Sequence, residues 1–211
     1  MRVTSKDTPP IRRGRGRRPA AQVRVEILDA ATRLLLDDGM AQFTLERVAS
    51  LSGASRMTIH KWWPSKGALA FDAYRVAVAD ALTFPDTGHV EADLRAQLHA
   101  FVHLITDTRA GRVIAELMGQ AQTDPDLQAA LVEHYTVPRR MLAVETMERA
   151  QARGQLRDDV DPAVVVDQLW GACYYRLLNR DLPITVAFAD ALLDNLWRGI
   201  ATQKGGTTKA L

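Results

Sequence analysis

Apolar residues return at helical spacing along most of the chain. Ile27, Ala30, Ala31, Leu34 and Leu35 recur at i, i+3, i+4, i+7 and i+8, which predicts a helix with one buried face over about 21–37, closed by Gly39. Thr44 stands as an N-cap with Glu46 in the first turn, and Leu45, Val48 and Ala49 give the next helix its apolar face to about residue 50. Ser52-Gly53-Ala54 makes a short turn, Ser55 caps a helix reaching Trp62, and Pro64 stops it. Ser65 caps a further helix that runs to about Leu82, before Pro85-Asp86-Thr87-Gly88. The same grammar predicts helices over about 90–106, 110–122, 125–153, 162–179 and 184–203. Asp124-Pro125 and Asp161-Pro162 mark two of the starts, and Pro138 should kink or split the longest element. No alternating pattern asks for a strand. The fold class is all-α.

Two short helices joined by a glycine-containing turn of about four residues match a helix-turn-helix. The organisation expected is a disordered basic arm over 1–20, a three-helix helix-turn-helix domain over 21–66, a helical ligand-binding and dimerisation domain over 67–203, and a disordered tail over 204–211. Charge supports that division. Residues 1–66 hold 13 Lys/Arg against 6 Asp/Glu, a balance of +7, and residues 67–211 hold 14 against 19, a balance of −5. The basic half is therefore the candidate nucleic-acid end.

Composition removes several classes of function. The single cysteine, Cys173, cannot close an intrachain disulfide, the first twenty residues carry arginines where a signal peptide needs an apolar core, and no stretch is long and apolar enough for a membrane span. A cytoplasmic protein is expected. There is no glycine-rich phosphate loop, no paired metal-ligand motif and no Ser or Cys beside an evident base, so no enzyme, cofactor or metal is expected. His99 and His103 lie one helical turn apart, yet no Glu or Cys partner stands at a telling spacing.

The helix from Ser55 to Trp62 carries the chemistry of base reading. Ile59 is its inward anchor, packing against Val48 and Ile27, which leaves Arg56, Met57, Thr58, His60 and Lys61 on the outer surface. Arg56 suits a bidentate contact to guanine, Met57 or Thr58 a thymine methyl, and Lys61 a phosphate. Lys66 adds a charge beside the free amides of the following helix. In the arm, Arg15, Arg17 and Arg18 fit an adjacent minor groove, a sequence-blind phosphate contact, or no contact at all.

Phe43-Thr44-Leu45-Glu46-Arg47-Val48-Ala49 and the run Ser52-Gly53-Ala54-Ser55-Arg56-Met57-Thr58-Ile59-His60-Lys61-Trp62-Trp63-Pro64-Ser65-Lys66-Gly67-Ala68-Leu69 resemble the DNA-binding signature of TetR/AcrR-type regulators. The resemblance covers roughly residues 22–72. It implies a homodimer of nine or ten helices per chain, a third helix that enters the major groove, an effector cavity in the C-terminal domain and a dimer interface built from the last two helices. Thr58, Trp63 and Lys66 agree with the family pattern. Met57 stands where the family commonly has a small residue and His60 where it has tyrosine, so the operator cannot be borrowed from relatives, and the imidazole should make DNA affinity rise as pH falls from about 8 to 6. The contact set expected at DNA is Thr44, Arg56, Met57, Thr58, His60, Lys61, Trp62 and Lys66, with the three arm arginines.

Beyond Phe71, apolar residues exceed what one face per helix would use. Phe101, Ile105, Met118, Met141, Trp170 and Tyr174 are the expected cavity wall. Leu169 and Cys173 on one late helix and Leu192 and Leu196 on the next are the expected dimer contacts, because pairing both stripes with their two-fold copies would make a four-helix bundle. Taken together, these features describe a ligand-responsive transcription regulator, a repressor that leaves a palindromic double-stranded operator when a small molecule binds. The alternative is a helical small-molecule-binding protein whose DNA-binding head is weak or lost.

Overall fold

A computed structural model describes residues 19–179 and 181–202. Among them are ten α-helical segments: α1 (Ala20–Asp38), α2 (Leu45–Ser52), α3 (Arg56–Trp62), α4 (Lys66–Val78), α5 (Val90–Asp107), α6 (Ala110–Ala121), α7 (Pro125–Leu131), α8 (Val137–Ala152), α9 (Pro162–Leu178) and α10 (Val186–Ile200). A π-helical turn, Val132–Thr136, joins α7 to α8 without leaving helical dihedrals, so these segments form nine rods.

The predicted caps are made. The side chains of Thr44, Ser55, Ser65, Asp124 and Asp161 each accept a backbone N–H from the first turn of the helix they precede, and Thr185, not singled out in the sequence, does the same for α10. Gly39 ends α1 at φ +77°, where a side chain would be strained and would also press on the Glu116 carboxylate. Among the described residues the one β feature is an isolated bridge between Leu156 and Ala201.

Three elements depart from expectation for identifiable reasons. α4 stops at Val78 instead of Leu82, where the Ala79 N–H tightens onto the Val76 carbonyl at 3.4 Å; beyond it the Leu82 carbonyl accepts the Arg139 guanidinium at 2.7 Å and the Gln97 amide at 3.4 Å. α10 begins at Val186 because Thr185 is its cap, and it ends at Ile200 because Ala201 turns extended to pair with Leu156. In the long rod, Pro138 has no N–H to give the His134 carbonyl; the chain answers with wider, π-type hydrogen bonding, Val137 N–H to Val132 O, and the helix stays continuous instead of splitting. That turn inserts one residue and shifts the inward face downstream by one position.

α1–α3 pack as a triangle over Ile27, Leu34, Phe43, Val48 and Ile59, all essentially inaccessible. α4 carries this triangle into the rest of the molecule, lying against α1 on one side and α6, α7 and the π turn on the other. α5 and α10 are fastened by Arg95, which meets Asp190 at 2.8 Å and Asp194 at 2.7 Å. α5 and α6 approach so closely that a Cβ on Gly111 would collide with the Ile105 carbonyl.

Candidate nucleic-acid interface and inner cavity

α3 is short because Ser55 opens it and Pro64 closes it, and its one fully buried residue, Ile59, seats it on the triangle. Everything else on it is at least partly exposed. Met57 is 83% exposed, the most exposed large apolar side chain among the described residues, and stands in water with no packing partner of its own protomer to explain it. His60 and Lys61 are exposed beside it, and Lys66 is exposed in the first turn of α4. Thr58 is half-buried, its hydroxyl sharing a 2.8 Å hydrogen bond with that of Ser55. Trp62 is half-buried and meets Trp63 edge-on at 6.0 Å. Thr44 spends its hydroxyl oxygen on the Arg47 amide.

Arg56 differs from the sequence expectation of a free guanine reader. Its guanidinium lies 2.9 Å from the Glu46 carboxylate, bridging α2 and α3 with both side chains well exposed. The bridge helps to hold Glu46 below the usual carboxylate range, after the backbone hydrogen bond that dominates that shift. An exposed pair of this kind is weak, so Arg56 leaves Glu46 at little cost. Arg15, Arg17 and Arg18 lie outside the described residues.

Behind the head, Asp72 of α4 is a buried hub. It accepts Trp63 Nε1–H at 2.9 Å, and lies 3.6 Å from Arg24 of α1, 3.7 Å from Arg75 and 3.3 Å from His134 of the π turn. Arg24 also lies over the Trp63 ring, 5.1 Å from its centroid. A second tie joins α6 to the end of α1: Arg109 reaches Asp37 at 2.8 Å, and Glu116 accepts the Met40 amide at 3.2 Å.

Between α5, α6, α8 and α9 lies a cavity of ≈ 270 Å³. Phe101, Met118, Trp170 and Tyr174 line it as the sequence suggested. Ile105 does not, being packed in the core, and Met141 is 56% exposed on the outside. The π turn explains Met141: helical spacing counted from Leu127 without it turns residue 141 inward, whereas the inserted residue brings Tyr135, Arg139 and Ala143 to the wall. Tyr135, Arg139 and Phe84 were missed, and only a correct reading of Pro138 would have found the first two. The Tyr135 and Tyr174 hydroxyls are 2.8 Å apart, and burial pushes both phenols up, so they stay protonated.

Leu169 and Cys173 are fully buried within the protomer, so neither reaches a surface that a partner could touch. Burial also raises the Cys173 thiol to about 11. The exposed stripe of α9 is instead Val164, Gln168, Gly171, Tyr175 and Leu178, and Leu192 and Leu196 of α10 are partly exposed. His99 and His103 do not converge: His99 meets Asp190 at 2.7 Å and His103 meets Asp107 at 2.9 Å. No helix of the described residues is long and apolar enough to cross a membrane.

A capped two-helix motif with a polar reading helix, set on an all-helical body, defines a helix-turn-helix DNA-binding regulator. Comparison with known proteins gives the family. Residues 27–73 match the model of bacterial regulatory proteins of the tetR family, and residues 84–196 match the tetracyclin repressor-like C-terminal domain. The chain is 32% identical to the HTH-type transcriptional regulator YdeS of Bacillus subtilis, over 82% of this chain and 87% of that protein. It is 27% identical to the DNA-binding transcriptional repressor TetR of Mycobacteroides abscessus, over 81% and 89%. The crystal structure of the TetR family transcription regulator SCO0332 superposes with a TM-score of 0.79 at 56% identity, covering 84% of this chain and 98% of that one. The chain belongs to the TetR family of helix-turn-helix transcription regulators, which are DNA-binding proteins and not enzymes.

Proposed function

We propose that this regulator is a homodimeric repressor that releases a palindromic operator when a small molecule occupies the inner cavity. The observation that carries this reading is the π turn. Its consecutive residues serve two sites at once: His134 contacts Asp72, which holds Trp63 and Arg24 beneath the DNA-reading helix, while Tyr135 and Thr136 line the cavity. Met118 and Glu116 repeat the arrangement on α6, one at the cavity and the other at the end of α1. A ligand that shifts the π turn changes the support of α3, and it can bias the head only by its differential affinity for the two arrangements.

The contacts at DNA are assigned to Met57 against a thymine methyl, Lys61 and Lys66 on phosphates, and Arg56, Thr58, His60, Trp62 and Thr44 around them. The exposed stripe of α9 with α10 supplies the two-fold surface, in place of Leu169 and Cys173. Two heads are needed because one two-turn helix reads too few bases to be selective in a genome. Repression needs only occupancy of a promoter.

The test is fluorescence anisotropy of the full chain on an operator duplex taken from a random pool, titrated with a panel of small molecules. The reading requires a compound that weakens operator binding by about 5–150-fold in wild type. The same compound should have no effect on Ala143→Phe, which fills the cavity from its buried wall. If every compound that releases DNA does so equally in that variant, control does not pass through this cavity.

A further inference from the structure

The cavity wall is specific enough to name the chemistry of its occupant. Its body is aromatic: Phe84 and Trp170 pack with centroids 5.7 Å apart, and Phe101 and Tyr174 at 5.5 Å. Its polar groups are few: two phenols, the Thr136 hydroxyl, two guanidiniums and the Asp167 carboxylate. The Tyr135 and Tyr174 hydroxyls share one hydrogen bond, and the buried Tyr74 ring packs edge-on against Tyr135; with Tyr74 donating to Tyr135 and Tyr135 to Tyr174, the Tyr174 proton is left for a ligand acceptor.

Two arginines and one carboxylate line the same space, and they are not equivalent. Arg140 is held on both arms by Asp167, at 2.8 Å each, so that carboxylate and that cation answer each other. Arg139 gives one N–H to the Leu82 carbonyl, lies 5.9 Å from the Phe84 ring centroid, and has no carboxylate within 4.0 Å among the described residues. A half-buried guanidinium without a counter-charge, next to a spare phenol proton, is set for an anion. A cation would be repelled by it, despite the aromatic wall.

Size narrows the class further. A cavity of about 150 Å³ takes a benzene ring, so ≈ 270 Å³ fits a body of two fused rings or their equivalent and is too short to enclose a long acyl chain. We propose that the occupant is a small aromatic carboxylate, its ring system among Phe84, Phe101 and Trp170 and its acid group on Arg139 and the Tyr135–Tyr174 pair. This assignment rests on the cavity being the effector site.

Calorimetry on the full chain with 2-naphthoate, its neutral isostere 2-naphthamide, and linear octanoate tests the class. 2-Naphthoate should bind in the cavity about tenfold or more tightly than the amide or octanoate. Arg139→Gln should erase the preference for acid over amide, Arg139→Lys should keep part of it, and Ala143→Phe should abolish binding, with melting curves confirming that each variant folds. Equal or tighter binding of the amide or octanoate, or no binding of 2-naphthoate at millimolar concentration, overturns the class. Operator anisotropy separates this from the broader reading. Arg139-dependent binding of 2-naphthoate that leaves DNA affinity unchanged supports the class and contradicts effector control, whereas release by the amide or octanoate alone supports control and overturns the class.

Discussion

The indole N–H of Trp63 donates to Oδ2 of Asp72 at 2.9 Å, inside the molecule, and so fixes the end of α3 to α4, the helix that carries the head. Both partners are shielded from water, with Trp63 1% and Asp72 7% exposed. Trp63→Phe removes the donor and leaves the carboxylate one bond short. A hydrogen bond to a charged group is worth about 1.5–3 kcal/mol, so urea unfolding should show a loss of that order, and a loss under about 0.5 kcal/mol would mean that the contact is incidental.

His134 is the π-turn end of the same hub, 3.3 Å from Asp72 Oδ1. His134→Ala should leave operator affinity in the absence of effector within a few-fold of wild type, because Trp63, Arg24 and Arg75 still hold Asp72. The effector-induced loss of affinity should shrink toward unity. An unchanged effector response in this variant would place the coupling on α6 instead.

At the DNA surface, charge and shape should separate. If Lys61 sits on a phosphate as proposed, Lys61→Ala should lower the slope of log affinity against log salt by about 0.9 while leaving base preference intact. Met57→Ala should keep the slope and relax preference at one base position, as read by selection from a mutated operator pool. The reverse pattern would exchange the two roles.

Acid stability should report on the α5–α10 fastening. The His99 ring, then Arg95, hold Asp190 below its ordinary value. A carboxyl depressed in the folded state contributes stability that is complete above its unfolded value, near about 3.9, and is lost as pH falls through the folded one. Wild type should therefore lose more stability than Asp190→Asn as pH drops from about 5 to 3, measured by melting temperature. Parallel curves would show that the cluster is fully screened.

The parts of this molecule that follow from local rules were legible in its sequence. Thr44, Ser55, Ser65 and the Asp-Pro pairs announce helix starts through their own side chains, and Ile59 declares the inner face of α3 by its spacing from Val48 and Ile27. Residues whose role depends on tertiary partners were not legible. Arg56 reads as a free base-reader until Glu46 comes beside it, and Asp72 looks like a surface acid until three helices and a π turn close around it. Met141, Leu169 and Cys173 failed for geometric reasons: an inserted residue rotates the first outward, and α9 keeps the other two for its own protomer while a different stripe faces out. A period of 3.6 tells which residues share a face, not which neighbour that face meets.

The most direct measurement of the central claim is selection of bound duplexes from a random pool by the full chain, followed by affinity for the winner and for a scrambled control at one stated salt concentration. The account predicts a palindromic winner bound about 10³-fold or more above the control, with its two-fold symmetry matching a dimer. Weak binding that is blind to sequence and vanishes with salt would contradict it, and would leave a helical small-molecule-binding protein whose head no longer reads DNA.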